Sequence, residues 1–306
     1  MPVLVLGSRG SALALAQAQE VIRYLQSLHP GVGFEVKKIR TQGDIQRRQP
    51  LTQMGGKGVF VKEIQEALLA GRVRAAVHSY KDLPVESSPE LEVVAILRRE
   101  DPRDALVSRA GLLLEGLPPG AVLGTGSPRR AAQIRALRPD LTITDLRGNL
   151  DTRLRKVASG AVAGVVLAAA GLNRMGWQDR ITQLLPSEVC IPAVGQGALA
   201  VEIRADDEEA RRLLAPLDHL PTRTAIAAER AFLERLGGGC HSPIAALGEV
   251  KDGRLRLWGM VASPNGDRLL KDSMEGDAAS PRQVGQLLAE KLLSQGAADL
   301  LAGSGT

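Results

Sequence analysis

Short apolar segments alternate with longer amphipathic segments along the first third of the chain. Residues 3–6 form an apolar run that predicts a buried strand, and Ser11 is expected to be the N-cap of a helix that continues to about residue 28. Further elements are predicted as strands at 34–39, 75–78 and 91–97 and a helix at 60–69. Strands that alternate with helices are typical of a mostly parallel sheet, so the first domain is expected to be α/β.

A similar series of elements begins again near residue 121. It predicts strands at 121–123, 141–145 and 165–167 and helices at 128–137 and through Arg153, which indicates a second α/β domain. Another strand is predicted at 198–203. Beyond Pro221 the pattern changes to a helix, three consecutive glycines, two or three alternating strands and a final amphipathic helix, which indicates an α+β domain. The sequence shows no internal repeat.

Composition limits the classes of function. The chain has 306 residues, 44% of them hydrophobic, which is enough for two or three domains with their own cores. The formal net charge of +5 is small and spread along the chain, and aromatic residues make up only 2%. Nucleic-acid binding is therefore not expected, since single strands are bound by stacked aromatic side chains and concentrated positive charge. The chain shows no signal peptide and no apolar run that could span a membrane, so we expect a cytoplasmic protein.

The two cysteines are too few for a disulfide framework. With the four histidines they show no metal-ligand spacing, so no metal site is expected. Cys190 has apolar neighbours and is interpreted as an inert core residue. Cys240 follows three glycines beyond the predicted end of a helix, where its thiol would be accessible. Cys240 is therefore a candidate for covalent attachment, with an inert cysteine as the alternative.

Two glycine-rich segments do not complete a nucleotide-binding motif. Residues 54–60 have Gly58 where a phosphate loop requires Ser or Thr, and residues 124–126 lack the third glycine of a dinucleotide-binding fingerprint. Neither ATP nor NAD is implied. The polar segment 40–58, which contains several glycines and a proline, is expected to be a long loop that covers a site.

Five arginines lie beside glycine-containing turns in the middle of the chain: Arg129, Arg130, Arg147, Arg153 and Arg174. A guanidinium group is always charged and binds a carboxylate with two parallel hydrogen bonds. A helix beginning at Pro128 would add free backbone N–H donors at the same place. Any one of these arginines could be a solvated charge on a helix surface. As a group, they favour a site for a ligand that carries several carboxylates.

Lys81 and Asp82 follow the predicted strand at 75–78. In α/β sheets, ligands bind at the carboxyl ends of the strands, so this position favours a functional role. The alternative is a charged pair on a surface turn.

Ordered motifs along nearly the whole chain resemble those of hydroxymethylbilane synthases, also called porphobilinogen deaminases. They include His-Ser-Tyr-Lys-Asp at 78–82, Gly-Thr-Gly-Ser-Pro-Arg-Arg at 124–130 and Leu-Gly-Gly-Gly-Cys at 236–240, together with the segments 8–15, 41–44, 55–58, 99–104, 146–149 and 192–197. The sequence departs from the family pattern at Tyr80, where Leu or Met is usual, at Gly126, where Ser is usual, and at Pro128, where Leu is usual. These departures affect local contacts and leave the implied activity unchanged.

The resemblance implies a fold of two periplasmic-binding-protein-like α/β domains with a cleft between them, plus a smaller C-terminal α+β domain. Domain 1 would comprise residues 1–97 and 198–217 and carry the catalytic aspartate. Domain 2 would comprise residues 103–193 and carry the arginines, and domain 3 would comprise residues 220–306 and carry Cys240.

The resemblance also implies a transferase of tetrapyrrole biosynthesis. It would join four porphobilinogen molecules head to tail, releasing ammonia each time, and hydrolyse the product to hydroxymethylbilane. Cys240 would hold a dipyrromethane cofactor through a thioether, as a primer that is never released. Asp82 would stabilise the azafulvenium-like cation that remains when ammonia leaves. The other implied cofactor or substrate contacts are Arg9, Ser11, Lys57, Phe60, Ser79, Lys81, Arg99, Thr125, Ser127, Arg129, Arg130, Arg147, Gly148, Arg153, Arg174 and Gln196.

A non-catalytic two-lobed receptor or sensor for an anion is the alternative hypothesis, because a fold alone does not determine function. Cys240 distinguishes the two, since a sensor needs no covalently bound pyrrole. The expected enzyme is a monomer that acts on a small molecule, porphobilinogen, without nucleic acid or a membrane as partner.

Overall fold

The computed structural model describes residues 3–41, 61–85, 88–239 and 242–302. The chain divides into two compact units. Unit 1 comprises Met1–Glu100 and Ala198–Arg223, and unit 2 comprises Asp101–Gly197 and Thr224–Thr306. The chain therefore leaves unit 1, forms part of unit 2 and returns to unit 1 before it completes unit 2.

The strands in chain order are β1 (Val3–Arg9), β2 (Gly33–Ile39), β3 (Ala75–Ser79), β4 (Leu91–Ile96), β5 (Asp104–Ser108), β6 (Val122–Gly124), β7 (Thr142–Thr144), β8 (Gly164–Ala168), β9 (Gln183–Leu185), β10 (Leu199–Arg204), β11 (Ile244–Lys251), β12 (Arg254–Ala262) and β13 (Leu269–Asp277). The helices are α1 (Ala12–Leu28), α2 (Lys62–Leu69), α3 (Pro128–Leu137), α4 (Leu150–Ala158), α5 (Ala169–Arg174), α6 (Glu208–Leu214), α7 (Leu220–Arg235), α8 (Pro281–Ser294) and α9 (Ala297–Ala302). These elements confirm the predicted fold class, two α/β sheets followed by a smaller domain with an antiparallel sheet.

Unit 1 contains a five-stranded sheet in the order β2-β1-β3-β10-β4. β1 is parallel to β2 and β3, whereas β10 is antiparallel to both of its neighbours. Helices cover both faces, because Leu4 and Leu6 pack in the cluster that contains α1 while Val5 packs with α2. A strand buried on both faces explains the continuous apolar run at the start of the sequence.

Unit 2 contains a sheet of the same order, β7-β6-β8-β5-β9. β6 is parallel to β7 and β8, and β5 is antiparallel to β8 and β9. In each sheet, the antiparallel inner strand is the first strand after the chain crosses from the other unit. This strand is β10 in unit 1 and β5 in unit 2. The two sheets thus have the same topology. The sequence shows no internal repeat, because the similarity lies in the order of the strands and not in the identity of the residues.

The C-terminal part of unit 2 is an antiparallel sheet in the order β11-β12-β13, against which α8 packs. A hydrophobic cluster joins this sheet to the α/β part of unit 2, with Ala132 and Ile191 packed among Ala245, Leu247 and Met260. The fully buried carboxylate of Glu229, on α7, accepts hydrogen bonds from the backbone N–H groups of Gly195 at 2.7 Å and Gly248 at 2.8 Å. One side chain therefore fixes the segment before β10 to strand β11.

The packing of α7 against α8 depends on a residue without a side chain. A Cβ atom at Gly285 would lie 2.2 Å from the carbonyl oxygen of Ala228 and 2.9 Å from the backbone nitrogen of Phe232. Both atoms belong to the α7 backbone and cannot move independently of that helix. The two helices can approach this closely only because position 285 is glycine.

We predict that Gly285→Ala destabilises the protein by about 1–3 kcal/mol, the usual cost of overpacking a core. Helix propensity alone predicts a gain of about 1 kcal/mol for the same change, so the sign of the effect tests the contact. The measurement is the melting temperature and the urea midpoint. Gly116→Ala is the control, because a Cβ atom there meets no atom within 4 Å. A Gly285→Ala protein as stable as the control would contradict the close approach.

Candidate functional site

A small polar pocket lies at the carboxyl ends of β1 and β3 in unit 1. Its volume is about 110 Å³, and it is lined by Arg9, Ser11, Leu13, Ala14, Gln17, Val61, Val77, His78, Ser79, Lys81 and Asp82. Five residues predicted from the sequence come together here: Arg9, Ser11, Ser79, Lys81 and Asp82. Their convergence follows from topology, since the carboxyl ends of parallel strands meet at one edge of a sheet.

The backbone around Asp82 is fixed by a short 3₁₀ turn, Tyr80–Asp82. The backbone N–H of Tyr80 donates to the carbonyl oxygen of Ala198 at 3.0 Å, and that of Leu83 donates to the carbonyl oxygen of Tyr80 at 3.1 Å. Tyr80 is buried, whereas Lys81 and Asp82 are half-buried at the pocket. Tyr80, a departure from the family pattern, is thus buried beside the pocket, while the two charged residues that follow it line the pocket.

Two polar residues that the sequence analysis did not name as site residues, Gln17 and His78, also line the pocket. Gln17 and Ser79 exchange hydrogen bonds, Nε2 to Oγ at 2.9 Å and Oγ to Oε1 at 3.1 Å. Nε2 of His78 lies 3.1 Å from Oε2 of Glu202, and the other carboxylate oxygen of Glu202, Oε1, accepts a hydrogen bond from Nε2 of Gln65 at 2.9 Å. Gln17 lies on the buried face of α1, and a polar residue on that apolar face was the available signal.

In unit 2, the candidate site begins at the N-terminus of α3. Ser127 is the N-cap, and its Oγ accepts a hydrogen bond from the backbone N–H of Arg130 at 3.4 Å. Pro128 occupies the first turn, where its missing N–H costs nothing. Thr125, which is buried, accepts a hydrogen bond from the backbone N–H of Ser127 at 3.3 Å. The predicted Thr125 and Ser127 therefore organise the loop that leads into the helix.

Arg129 and Arg130 are buried around the fully buried carboxylate of Asp104, at the start of β5. Arg129 donates from Nη1 to Oδ2 of Asp104 at 2.6 Å, and Arg130 donates from Nε to Oδ1 at 2.9 Å. Gln196 donates to Oδ1 of Asp104 at 2.9 Å and accepts from Arg130 at 3.2 Å. The five arginines are thus not equivalent, because two of them share the fully buried carboxylate of Asp104.

Burial alone would raise the pKa of Asp104, but Arg129 and Arg130 hold it well below its ordinary value. The same cluster contains Cys190, whose thiol donates to Oδ2 of Asp104 at 3.3 Å. Burial and the neighbouring Asp104 raise the pKa of Cys190 to about 12. This cysteine therefore stays a protonated thiol, in agreement with its interpretation as an inert core residue.

The other three arginines are half-buried: Arg147, Arg153 and Arg174. Arg153, on α4, donates from Nε to the carbonyl oxygen of Gly148 at 2.9 Å, and Gly148 itself has a φ of 110°, which favours glycine. Burial and the nearby charges of Arg130 and Arg147 lower the pKa of Arg153 to about 10. Arg174 donates to the carbonyl oxygen of Gly197 at 3.0 Å. This part of unit 2 therefore has positive charges close enough to repel one another, and an anion would relieve that repulsion.

Several predicted site residues have other positions. Arg99 follows β4, and its backbone N–H donates to Oγ1 of Thr222 at 3.1 Å. Lys57, Phe60 and Cys240 lie outside the described residues, as does most of the predicted loop 40–58. Within the described ranges, no group of three or more His, Cys, Asp or Glu side chains could hold a metal ion. No helix in those ranges is both long and apolar enough to cross a membrane.

Comparison with known proteins identifies the family. Residues 4–212 match the family model described as "Porphobilinogen deaminase, dipyromethane cofactor binding domain", and residues 223–294 match "Porphobilinogen deaminase, C-terminal domain". The chain belongs to the porphobilinogen deaminase family. It is 53% identical over 300 residues to the porphobilinogen deaminase of Roseiflexus sp. (strain RS-1), covering 98% of this chain and 99% of that protein. It is 52% identical over 299 residues to that of Geobacillus kaustophilus (strain HTA426), covering 97% and 96%.

Among solved structures, the chain is similar to the BenM effector binding domain with its effector benzoate, at 17% identity and a TM-score of 0.44, covering 74% of this chain and 93% of that chain. The family match confirms the resemblance stated from the sequence motifs. It also places the chain among transferases and favours an enzyme over the non-catalytic receptor considered above.

The described part of the deaminase site fits the dipyrromethane cofactor of the family. Each pyrrole of that cofactor carries carboxylate side chains, and unit 2 offers guanidinium groups, hydroxyl groups and a helix N-terminus, which are the donors that carboxylates prefer. Burial is the largest cause of the lowered pKa of Arg153, and the charges of Arg130 and Arg147 lower it further, so a bound anion would stabilise the charged form of Arg153. A polyanion is the class of group that this donor set is suited to bind.

We predict that Asp104→Asn destabilises this deaminase by about 3–5 kcal/mol, because it leaves two buried guanidinium groups without their carboxylate. Asp104 has a lowered pKa in the folded protein, so its contribution is fully present above its ordinary pKa and is lost progressively as the pH falls from that value through the folded pKa. The loss in melting temperature should therefore be constant from about pH 5 to pH 8.

Asp151→Asn is the matched control for this charge removal. Asp151 forms an exposed ion pair with Arg155 at 2.5 Å, in the same unit. Its neutralisation should change the melting temperature little, because exposed pairs contribute little. Equal effects of the two substitutions would show that Asp104 does not organise the cluster.

Proposed function

We propose that this chain joins four porphobilinogen molecules head to tail on a dipyrromethane primer, releases one ammonia for each, and hydrolyses the product to hydroxymethylbilane. Family membership over nearly the whole length supports this reaction. The observation that connects the reaction to this chain is the convergence of Asp82, Lys81 and Arg9 in one pocket. The enzyme is expected to be a cytoplasmic monomer, with porphobilinogen as its small-molecule partner.

Each condensation needs a negative charge at a defined place. A carbon–carbon bond forms between the exocyclic methylene of one pyrrole and the free α-carbon of another, the carbon–nitrogen bond breaks, ammonia leaves, and the α-carbon loses a proton. Departure of ammonia leaves a cation spread over the pyrrole of the incoming porphobilinogen. Asp82 is the carboxylate of the unit 1 pocket, and a preorganised carboxylate stabilises such a cation as it forms.

The other polar groups of the unit 1 pocket bind and orient the substrate. Arg9 and Lys81 supply positive charge for the acetate and propionate groups of porphobilinogen, while Ser11 and Ser79 supply hydroxyl donors. Gln17 holds the Ser79 hydroxyl in place from α1. Lys57, Phe60 and Arg99 complete this proposed set, on the strength of the motif resemblance.

The cofactor supplies a nucleophilic pyrrole carbon that begins the chain and stays attached through Cys240. The residues that would hold its carboxylates are Thr125, Ser127, Arg129, Arg130, Arg147, Gly148, Arg153, Arg174 and Gln196, all in unit 2. Among them, Arg129 and Arg130 have Asp104 as partner, so we assign most of the carboxylate binding to the half-buried arginines. Cys240 follows Gly239, five residues beyond the end of α7 at Arg235.

We predict that the purified chain is heavier than its sequence by one covalent two-pyrrole unit. Cys240→Ser should remove this added mass, whereas Cys190→Ser should keep it, because Cys190 is a buried, protonated thiol. Intact-mass spectrometry of the three proteins is the measurement. An active enzyme with the unmodified mass would end the proposal that Cys240 carries the primer.

We predict that Asp82→Asn keeps the cofactor and the melting temperature but lowers turnover by about 10²–10³-fold, the usual loss when one preorganised electrostatic group is removed. Asp82→Glu restores the charge at a displaced position and should lose less. Turnover is measured as ammonia released by proteins whose mass shows a bound cofactor. Normal turnover of cofactor-loaded Asp82→Asn would favour the alternative that Asp82 is part of a charged surface turn without a catalytic role. Asp44 would then be the next carboxylate to test.

A further inference from the structure

Asp145 is a carboxylate within the arginine-rich part of unit 2 that the proposed reaction does not use. It follows β7 directly, and its Oδ2 lies 2.9 Å from Nε of Arg147. The Asp145 side chain is 58% exposed and that of Arg147 is 27% exposed, so water and ligands can reach this pair. The pair occupies a guanidinium edge that a ligand carboxylate would otherwise use.

The position of Asp145 depends on the absence of a side chain at Gly126. A Cβ atom there would lie 3.2 Å from Oδ1 of Asp145 and 3.2 Å from the carbonyl oxygen of Leu146. Both distances are shorter than ordinary van der Waals contact, so a side chain at position 126 would shift the carboxylate by a few tenths of an ångström. Gly126, one of the departures from the family pattern, thus leaves room for Asp145 beside the loop that leads into α3.

The charge of Asp145 acts on more than one arginine. Arg130 and Arg147 lower the pKa of Arg153, and Asp145 opposes that effect. One protein carboxylate therefore offsets part of the repulsion among three guanidinium groups. A ligand carboxylate bound to Arg147 would offset the same repulsion, so Asp145 and the ligand carboxylate compete for Arg147.

We infer that Asp145 competes with ligand carboxylates for Arg147 and thereby sets how tightly this part of unit 2 binds an anionic ligand. The inference rests on the proposed role of Arg147 as a carboxylate-binding residue. Asp145 is on this view an affinity-determining residue that touches Arg147, not a catalytic residue. Its removal strengthens anion binding, whereas removal of most charged residues in a binding site weakens it.

The first experiment uses citrate, a tricarboxylate, as a probe of the cofactor-free chain, produced in cells that make no porphobilinogen. Isothermal titration should show that Asp145→Asn binds citrate roughly two- to fivefold more tightly than the parent chain, the range expected for the loss of one exposed competing ion pair. Asp151→Asn is the control, since it removes the same charge from an exposed pair in the same unit and should leave the affinity unchanged. Equal tightening by both variants would reduce the effect to net charge and overturn the inference.

Two further variants separate the possible failures. Arg147→Ala should weaken citrate binding by about tenfold or more, the loss expected for a charge-assisted hydrogen bond. If it does not, the proposed carboxylate-binding role of Arg147 fails. If Arg147→Ala weakens citrate binding but Asp145→Asn and Asp151→Asn have the same citrate affinity, only the proposed competition by Asp145 fails. Gly126→Ala, which shifts the Asp145 carboxylate slightly without adding a donor, should tighten binding less than Asp145→Asn does, and should add nothing in the Asp145→Asn background, because both changes act on one contact.

The melting temperature of the cofactor-loaded enzymes gives an independent readout. The cofactor carboxylates are assigned to unit 2, so Asp145→Asn should raise the melting temperature of the cofactor-loaded enzyme over that of its cofactor-free form by more than in the parent chain, since it removes a competitor for Arg147. The affinity of this variant for citrate should also depend more steeply on salt concentration, because the arginines keep more uncompensated charge. An unchanged melting difference, together with an unchanged salt dependence, would overturn the inference.

Discussion

The shared carboxylate of Asp104 is the interaction on which the organisation of unit 2 depends. It accepts from Arg129, Arg130, Gln196 and the thiol of Cys190. These donors come from the start of α3 and from the segment before β10, while Asp104 itself begins β5. Burying a charge is costly unless it is paired and hydrogen-bonded. The start of α3, the start of β5 and the segment before β10 are therefore stable in this arrangement only when all three are in place. The cluster therefore fixes which loops lie beside the N-terminus of α3.

A second buried carboxylate extends this arrangement. Glu229 fixes Gly195, next to Gln196, and at the same time fixes Gly248 of β11. The path from Asp104 through Gln196 and Glu229 thus joins the α/β part of unit 2 to the domain that carries Cys240. Buried polar networks of this kind add little net stability compared with apolar packing, but they allow only one arrangement of their members. Their contribution here is the placement of functional segments.

Local sequence signals predicted the helices well and the polar partners poorly. Ser11 and Pro128 marked helix starts that the structure confirms, because an N-cap lies within three residues of the N–H it accepts from and proline is favoured in the first turn of a helix. Strand β5 was missed, since its five residues begin with a charged aspartate that becomes buried only through arginines 25 and 26 positions away. Gln17 was missed for the same reason, because its partner Ser79 is 62 positions distant. Residue patterns supplied the five arginines, Lys81, Asp82 and Cys240, and the motif resemblance supplied the other candidates. Topology brought five of all these candidates into one pocket.

The distribution of carboxylates supports the proposed assignment of cation stabilisation to Asp82 and not to a carboxylate of unit 2. Asp104 is held by two arginines, and Asp145 is paired with a third within a group of like charges. A carboxylate with such partners has its negative charge largely neutralised, and a cation brought near it would meet the arginines first. Asp82 lies in the unit 1 pocket with Lys81 and Arg9, a setting with fewer guanidinium groups. Most of the arginines proposed to bind carboxylates thus lie in unit 2, whereas the carboxylate proposed to stabilise the cation lies in unit 1. This separation allows one protein to bind both anionic and cationic groups.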